Sequence, residues 1–148
     1  MTKLFKDYQG EIIYHDKDLK TIDNSYYEDI GVGFELPVHF SKLTGLENMK
    51  FFSELYKSRA DIESLLKMVG LLEDKDRLVA EYSKGMKHRL TFARSMINNP
   101  TLWFLVEPTT GLDPAIASEI KKIIKEQNKK GVTVFLTTHN MFIADELC

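Results

Sequence analysis

The chain has 148 residues, 43% of them hydrophobic and 11% aromatic, which suffices for one domain with a useful core or one domain with a helical insertion. Twenty basic against 22 acidic residues leave a net charge of -2, so there is no electrostatic case for a nucleic-acid partner, and no apolar run approaches the ~20 residues of a membrane span. The single cysteine, Cys148, cannot close an internal disulfide and suits a reducing compartment, and no secretory leader is expected.

In chain order, Glu11-Ile12-Ile13-Tyr14 has strand propensity and leads into the polar turn His15-Asp16-Lys17-Asp18. The pattern predicts a small antiparallel element in which His15 is a turn residue. Ile30-Gly31-Val32-Gly33-Phe34 is a second strand, with Glu35 at its exit. Leu43-Thr44-Gly45-Leu46-Glu47 contains Thr-x-x-Glu, a capping box, and Met49, Phe52 and Leu55 then recur at helical spacing. Asp61 heads another amphipathic helix through Ile62, Leu65, Leu66 and Val69, which Gly70 would stop as a left-handed cap.

The most informative stretch runs from Tyr82 to Pro114. From Met86 the apolar residues Leu90, Ala93 and Ile97 mark one face of a helix whose mouth is Ser83-Lys84-Gly85, and Pro100 ends it. The cluster Lys84, Lys87, His88 and Arg89 reads as a solvated face of that helix. A helix start presents unpaired N–H groups and a partial positive charge to any anion, although Ser83 on its own is also an ordinary N-cap. Next, Leu102-Trp103-Phe104-Leu105-Val106 reads as a strand buried on both faces of a parallel sheet, with Trp103 in the core. Glu107 stands at its exit, where open α/β sheets bind ligands. Asp113 as N-cap, Pro114 at the first helical position, Ile116, Ile120, Ile123 and Ile124 along one face and Gly131 as stop define a further helix. Val132 to Thr137 is the following strand, so a βαβ unit brings Glu107 and His139 to one sheet edge.

These motifs together resemble the nucleotide-binding subunit of ATP-binding cassette (ABC) transporters. Tyr82-Ser83-Lys84-Gly85-Met86 is similar to the family signature, Leu102 to Glu107 to its Walker B strand, Gly111-Leu112-Asp113-Pro114 to its D-loop and His139 to its switch histidine. The resemblance implies an α/β fold of the P-loop NTPase type, a doubly wound parallel sheet carrying a helical subdomain at about residues 40–97, with residues 98–148 supplying the Walker B, D-loop and switch-histidine part of the core. It implies ATP and Mg2+ as cofactors, a membrane permease and a second ATP-binding subunit as partners, and a cytoplasmic position at the inner face of the membrane.

Residue by residue, the family pattern makes Glu107 the base that polarises the attacking water and His139 a group that bonds the γ-phosphate. Ser83, Lys84, Gly85 and Met86 would meet ATP held by the opposite subunit, with Lys84 and Met86 replacing the commoner glycine and glutamine. Gly111, Leu112 and Asp113 would carry signals between subunits, and Glu35 takes the place of the loop glutamine, keeping only an acceptor role when ionised. Val106 replaces the aspartate that holds Mg2+, and valine offers a hard cation no oxygen. It suits a buried strand, so the fold should survive while metal-dependent chemistry weakens. No Gly-x-x-x-x-Gly-Lys-Ser/Thr phosphate loop occurs, and Thr2 to Gly10 resembles the segment that normally follows it, so the chain is expected to be a fragment cut at its beginning and at its end. The implied function is ATP-driven transport through a membrane subunit. The alternatives are a non-catalytic subunit that lends its signature to a partner, and an inactive remnant.

Overall fold

A computed structural model describes residues 9–34 and 38–147. The expectations placed on Glu35, on Cys148 and on residues 2–8 fall outside them. The first element is a hairpin of β1 (Ile13–Tyr14) and β2 (Lys17–Asp18), paired antiparallel. Its turn is only His15 and Asp16, both left-handed at φ 48° and 60°, which matches the twist of a two-residue hairpin and returns Lys17-Asp18 to the ladder.

β3 (Ile30–Gly33), β4 (Leu102–Val106) and β5 (Thr133–Thr137) form one parallel sheet in the order β3-β4-β5. The helices between them are α1 (Gly45–Ser53), α2 (Ile62–Met68), α3 (Lys84–Arg94) and α4 (Pro114–Lys129), and α5 (Met141–Leu147) follows the sheet. The caps follow the sequence closely. Thr44 and Glu47 close the capping box at α1, where Glu47 N donates to Thr44 Oγ1 at 3.1 Å and Thr44 N to the Glu47 carboxylate at 2.8 Å. Asp61 caps α2, and Gly70 beyond it lies at φ 65°. α1 ends at Ser53, however, so Leu55 lies past the helix and is 65% exposed instead of continuing its apolar face.

Alternation along β4 sends Trp103 and Leu105 to one face, where both are buried in a cluster with Leu90, Ala93, Ile97, Ile120 and Ile124 from the helical side. Phe104 goes to the other face and joins a small cluster around Leu19, Tyr26 and Ile30. That cluster covers only the beginning of the strand. Val106 at its end is 36% exposed, so β4 is not buried along both faces and Val106 is not a core valine. The reading of Lys84, Lys87, His88 and Arg89 as a solvated face holds for Lys84, which is exposed, and fails for His88 and Arg89. His88 is buried, and Arg89 turns back to donate to the carbonyls of Val69 at 2.8 Å and Gly70 at 3.0 Å, tying α3 to the end of α2.

The end of α3 packs so closely on β3 that glycine is required there. A Cβ at Gly31 would stand 2.8 Å from Pro100 Cγ and 2.9 Å from Trp103 Cδ1. Trp103 fills the contact beneath and donates from Nε1 to Ser95 Oγ at 2.9 Å, which satisfies its one polar atom in the core.

Candidate functional site

β4 and β5 run in register to their last residues, Val106 opposite Thr137, so the segments that follow them emerge side by side. Glu107 is the first residue beyond β4 and adopts φ 50°, a left-handed conformation that costs a non-glycine residue roughly 1–2 kcal/mol. Its N–H donates to Thr137 O at 2.9 Å, and the turn aims the carboxylate across at residues 138–139. Oε1 accepts from the backbone N–H and the Nδ1 of His139, both at 2.7 Å. Oε2 accepts from Thr110 Oγ1 at 2.8 Å and Thr138 Oγ1 at 3.1 Å.

The Glu107 side chain is 13% exposed, whereas that of His139 is 79% exposed. Burial pushes the Glu107 carboxyl up, but the donors from Thr110, His139 and Thr138 outweigh it and hold the group below the usual carboxylate range. Glu107 is therefore an ionised, fully hydrogen-bonded carboxylate at neutral pH, beside an exposed imidazole. Sequence reasoning placed Glu107 and His139 at one edge and missed Thr110 and Thr138. The available signal was a hydroxyl within three residues of each strand exit, where it can reach a shared carboxylate.

A second grouping forms around the start of α3. Ser83 is its N-cap and accepts from Met86 N at 3.2 Å, leaving the first amides of the helix without intrahelical acceptors. The surface at Gly85 is open. A Cβ there would meet nothing nearer than Leu112 Cδ2 at 3.9 Å and Ser83 Oγ at 4.0 Å, so an anion can approach the backbone. The 111–113 loop lies against this mouth, because a Cβ at Gly111, φ 73°, would stand 3.4 Å from Lys84 Nζ. Met86 is partly buried and packs on the main core. Asp113 serves as the cap of α4, its carboxylate accepting from Ala115 N and Ile116 N at 3.1 Å each.

An acidic strand exit facing a histidine, and a serine-capped helix mouth lined by a glycine loop, occur in the same order in one large family. Residues 1–110 match the sequence pattern of the family described as ABC transporter. The chain belongs to the ABC transporter family. It is 54% identical over 146 residues to a fluoroquinolones export ATP-binding protein of Mycobacterium tuberculosis, covering 98% of this chain and 48% of that protein. It thus spans about half the length of that relative. Among solved structures, the ATP-binding cassette MJ0796, a dimer bound to ADP and phosphate in a post-hydrolysis state, superposes with a TM-score of 0.77 at 25% identity, covering 93% of this chain and 66% of that one. CbiO1 of Clostridium perfringens, part of the transporter complex cbiONQ, superposes with a TM-score of 0.80 at 27% identity, covering 98% and 62%. These likenesses place the described sheet and helices in the α/β ABC ATPase fold.

ABC ATPases in general use ATP and Mg2+, and this ABC chain fits the two unequally. The open backbone at Gly85 beside the Ser83 hydroxyl suits a phosphate. The magnesium position does not fit. Val106 brings no oxygen, both Glu107 oxygens are already engaged by four donors, and among the described residues no group of three or more His, Cys, Asp or Glu could hold a metal.

Proposed function

We propose that this chain is part of an ATP-binding subunit of an ABC transporter, coupling ATP binding and hydrolysis to transport through a separate membrane subunit. The observation that carries the reading is the uncrowded Gly85 at the Ser83-capped mouth of α3, next to the Gly111 loop. Ser83, Lys84, Gly85 and Met86 form the surface that clamps ATP presented by a second ATP-binding subunit, and Gly111, Leu112 and Asp113 bear on that subunit. The nucleotide-bound dimer among its structural neighbours supports a paired arrangement. Glu107, ionised and oriented, is the base that draws a proton from the attacking water once the exposed His139 ring swings its Nδ1 off Oε1, and the released imidazole N–H then adds a donor toward the developing phosphate charge.

A membrane partner is supported by an exposed apolar patch on the helical side. Val38 is 71% exposed, Leu55 65%, Phe34 54% and Phe51 49%, a concentration that monomeric soluble surfaces seldom leave uncovered. Among the described residues no helix is long and apolar enough to cross a membrane. The likeness to a transporter's ATP-binding protein and to a part of a transporter complex supports a place at the cytoplasmic face, held there by a permease. The relative named for fluoroquinolone export makes export the direction to test first.

Val106 favours a second reading, in which the chain lends its signature to a partner's ATP and does not itself turn over nucleotide. Measuring ATP turnover in a complex of this chain, a permease and an ATP-binding subunit with an intact phosphate loop separates the two. Gly85→Asp places a carboxylate where the phosphate must approach and should lower turnover ~100-fold or more on either reading. Glu107→Gln does the same only on the first. Unchanged turnover with Gly85→Asp would end both.

A further inference from the structure

At the end of the sheet opposite Glu107 and His139, where β4 and β5 begin, a cleft of about 470 Å3 opens between α2 and the C-terminal end of α4. Its apolar wall includes Leu65, Met68 and Met96, over the fully buried Trp103. Its polar rim carries Arg59, Asn99, Gln127 and Lys130. The size is that of a pocket for a small organic ligand, typically ~300–1,000 Å3. We propose that this cleft binds a small amphipathic carboxylate, an aromatic or aliphatic body with one anionic end, at a site separate from both groupings already described.

The argument rests on which rim groups are already committed. Asp61 also lines the cleft, but its carboxylate accepts from Ser64 N at 2.8 Å as the cap of α2, which spends its negative charge on the helix start. Arg59 directs Nε to Tyr56 O at 2.9 Å and pairs Nη1 with the Glu54 carboxylate at 3.4 Å. Lys130 is exposed on the opposite rim. Arg59 is thus balanced by Glu54 and Asp61 by the start of α2, which leaves Lys130 as the uncommitted charge on the rim, with the amides of Asn99 and Gln127 as neutral donors. Asn99 is held at φ 50°, a conformation asparagine tolerates better than most residues. Below this rim the wall changes to thioether and hydrocarbon. Met68 and Met96 are unbranched and polarisable, suited to adapt to an apolar body of variable shape. A charged end above and an apolar body below is the pattern of an amphipathic monoanion; a phosphate or nucleotide would need more cations and fewer methionines.

Trp103 is the chain's single tryptophan and lies directly under the wall, so the cleft carries its own reporter. The probe is dansylglycine, titrated against the full chain at submicromolar protein while energy transfer from Trp103 is followed. Saturable transfer is expected, at least tenfold weaker for the neutral dansylglycinamide and for Lys130→Glu. Ser64→Phe, which introduces a ring at an exposed position of the wall, should abolish it without altering the thermal transition. Phe51→Ser, in the apolar patch on the other side, should leave it unchanged. Equal affinity for the charged and neutral probes, indifference to Ser64→Phe, loss with Phe51→Ser, or no saturation at millimolar probe would each overturn the proposal.

Discussion

The backbone N–H and the ring Nδ1 of His139 both donate to a single oxygen of Glu107, each at 2.7 Å. The paired donation fixes the imidazole as the tautomer with its proton on Nδ1, and it couples the residue after β5 to the residue after β4. It also makes the carboxylate a reporter of acid stability. The Glu107 pKa is lowered on folding, so its contribution is fully present above the unfolded value of ~4.3 and is lost as pH falls through the folded value beneath it. Urea unfolding from pH 7 to pH 3 should show wild type losing stability below about pH 4.3, and Glu107→Gln losing less. Parallel pH profiles for the two proteins would mean that the four donors do not stabilise the ionised form.

ATP affinity follows from the donor inventory. Within residues 1–148 there is no phosphate loop, and the position before Glu107 holds a valine. Calorimetric titration with Mg-ATP should therefore give no binding tighter than millimolar. In a polypeptide that adds a phosphate loop, Val106→Asp should raise turnover at saturating magnesium, because it supplies an oxygen beside the catalytic carboxylate. Val106 is 36% exposed, so the new carboxylate is hydrated and the fold should tolerate it. An unchanged rate would refute the account of this position.

Close approach explains a stability prediction. A methyl at Gly31 would collide with the Ser95 backbone carbonyl as well as with Pro100 and Trp103, and the ring of Trp103 cannot withdraw, because it is anchored to Ser95 and packed at 5.0 Å from Phe92. Gly31→Ala should destabilise by about 1–3 kcal/mol through overpacking, measured as a lower thermal midpoint. A neutral result would show that β3 can shift away from α3.

Much of this molecule is legible in its sequence where one local rule decides the outcome. The Thr44–Glu47 capping box, the Asp61 and Asp113 caps, Gly70 and Gly131 as left-handed stops and the span of β4 all depend on residues within a few positions of one another. The misreadings depend on what lies across the fold. Whether Val106 is covered is decided by how far the hairpin cluster reaches along β4, and whether His88 is solvated is decided by where α3 settles on the sheet. The site divides in the same way. Glu107 and His139 could be placed together from the βαβ pattern, whereas Thr110 and Thr138, though close to the same strand exits, acquire their role from the left-handed turn at Glu107 that aims its carboxylate at them.

The last prediction concerns the far edge of the sheet. Among the described residues β5 pairs only with β4, so its other side presents a row of backbone N–H and C=O groups. Such an edge is a template for another strand unless it is short, charged or interrupted by proline. Thr133-Val134-Phe135-Leu136-Thr137 has neither charge nor proline, and Phe135 is 51% exposed, its ring 5.7 Å from that of Phe104. Val134 and Leu136 on the other face are themselves only partly buried. At ~25 cal/mol per Å2, covering even ~100 Å2 of apolar surface on each of two copies contributes roughly 5 kcal/mol, in addition to any backbone pairing. The chain at tens of micromolar should therefore self-associate, with an apparent mass that rises with concentration in light scattering. Phe135→Lys puts a charge on the edge and removes the exposed ring, and should return the protein to a monomer without shifting its far-ultraviolet dichroism. A wild-type chain that stays monomeric and melts cooperatively at ~100 μM, well within the range where an exposed edge of this kind pairs, would mean that the edge is already covered.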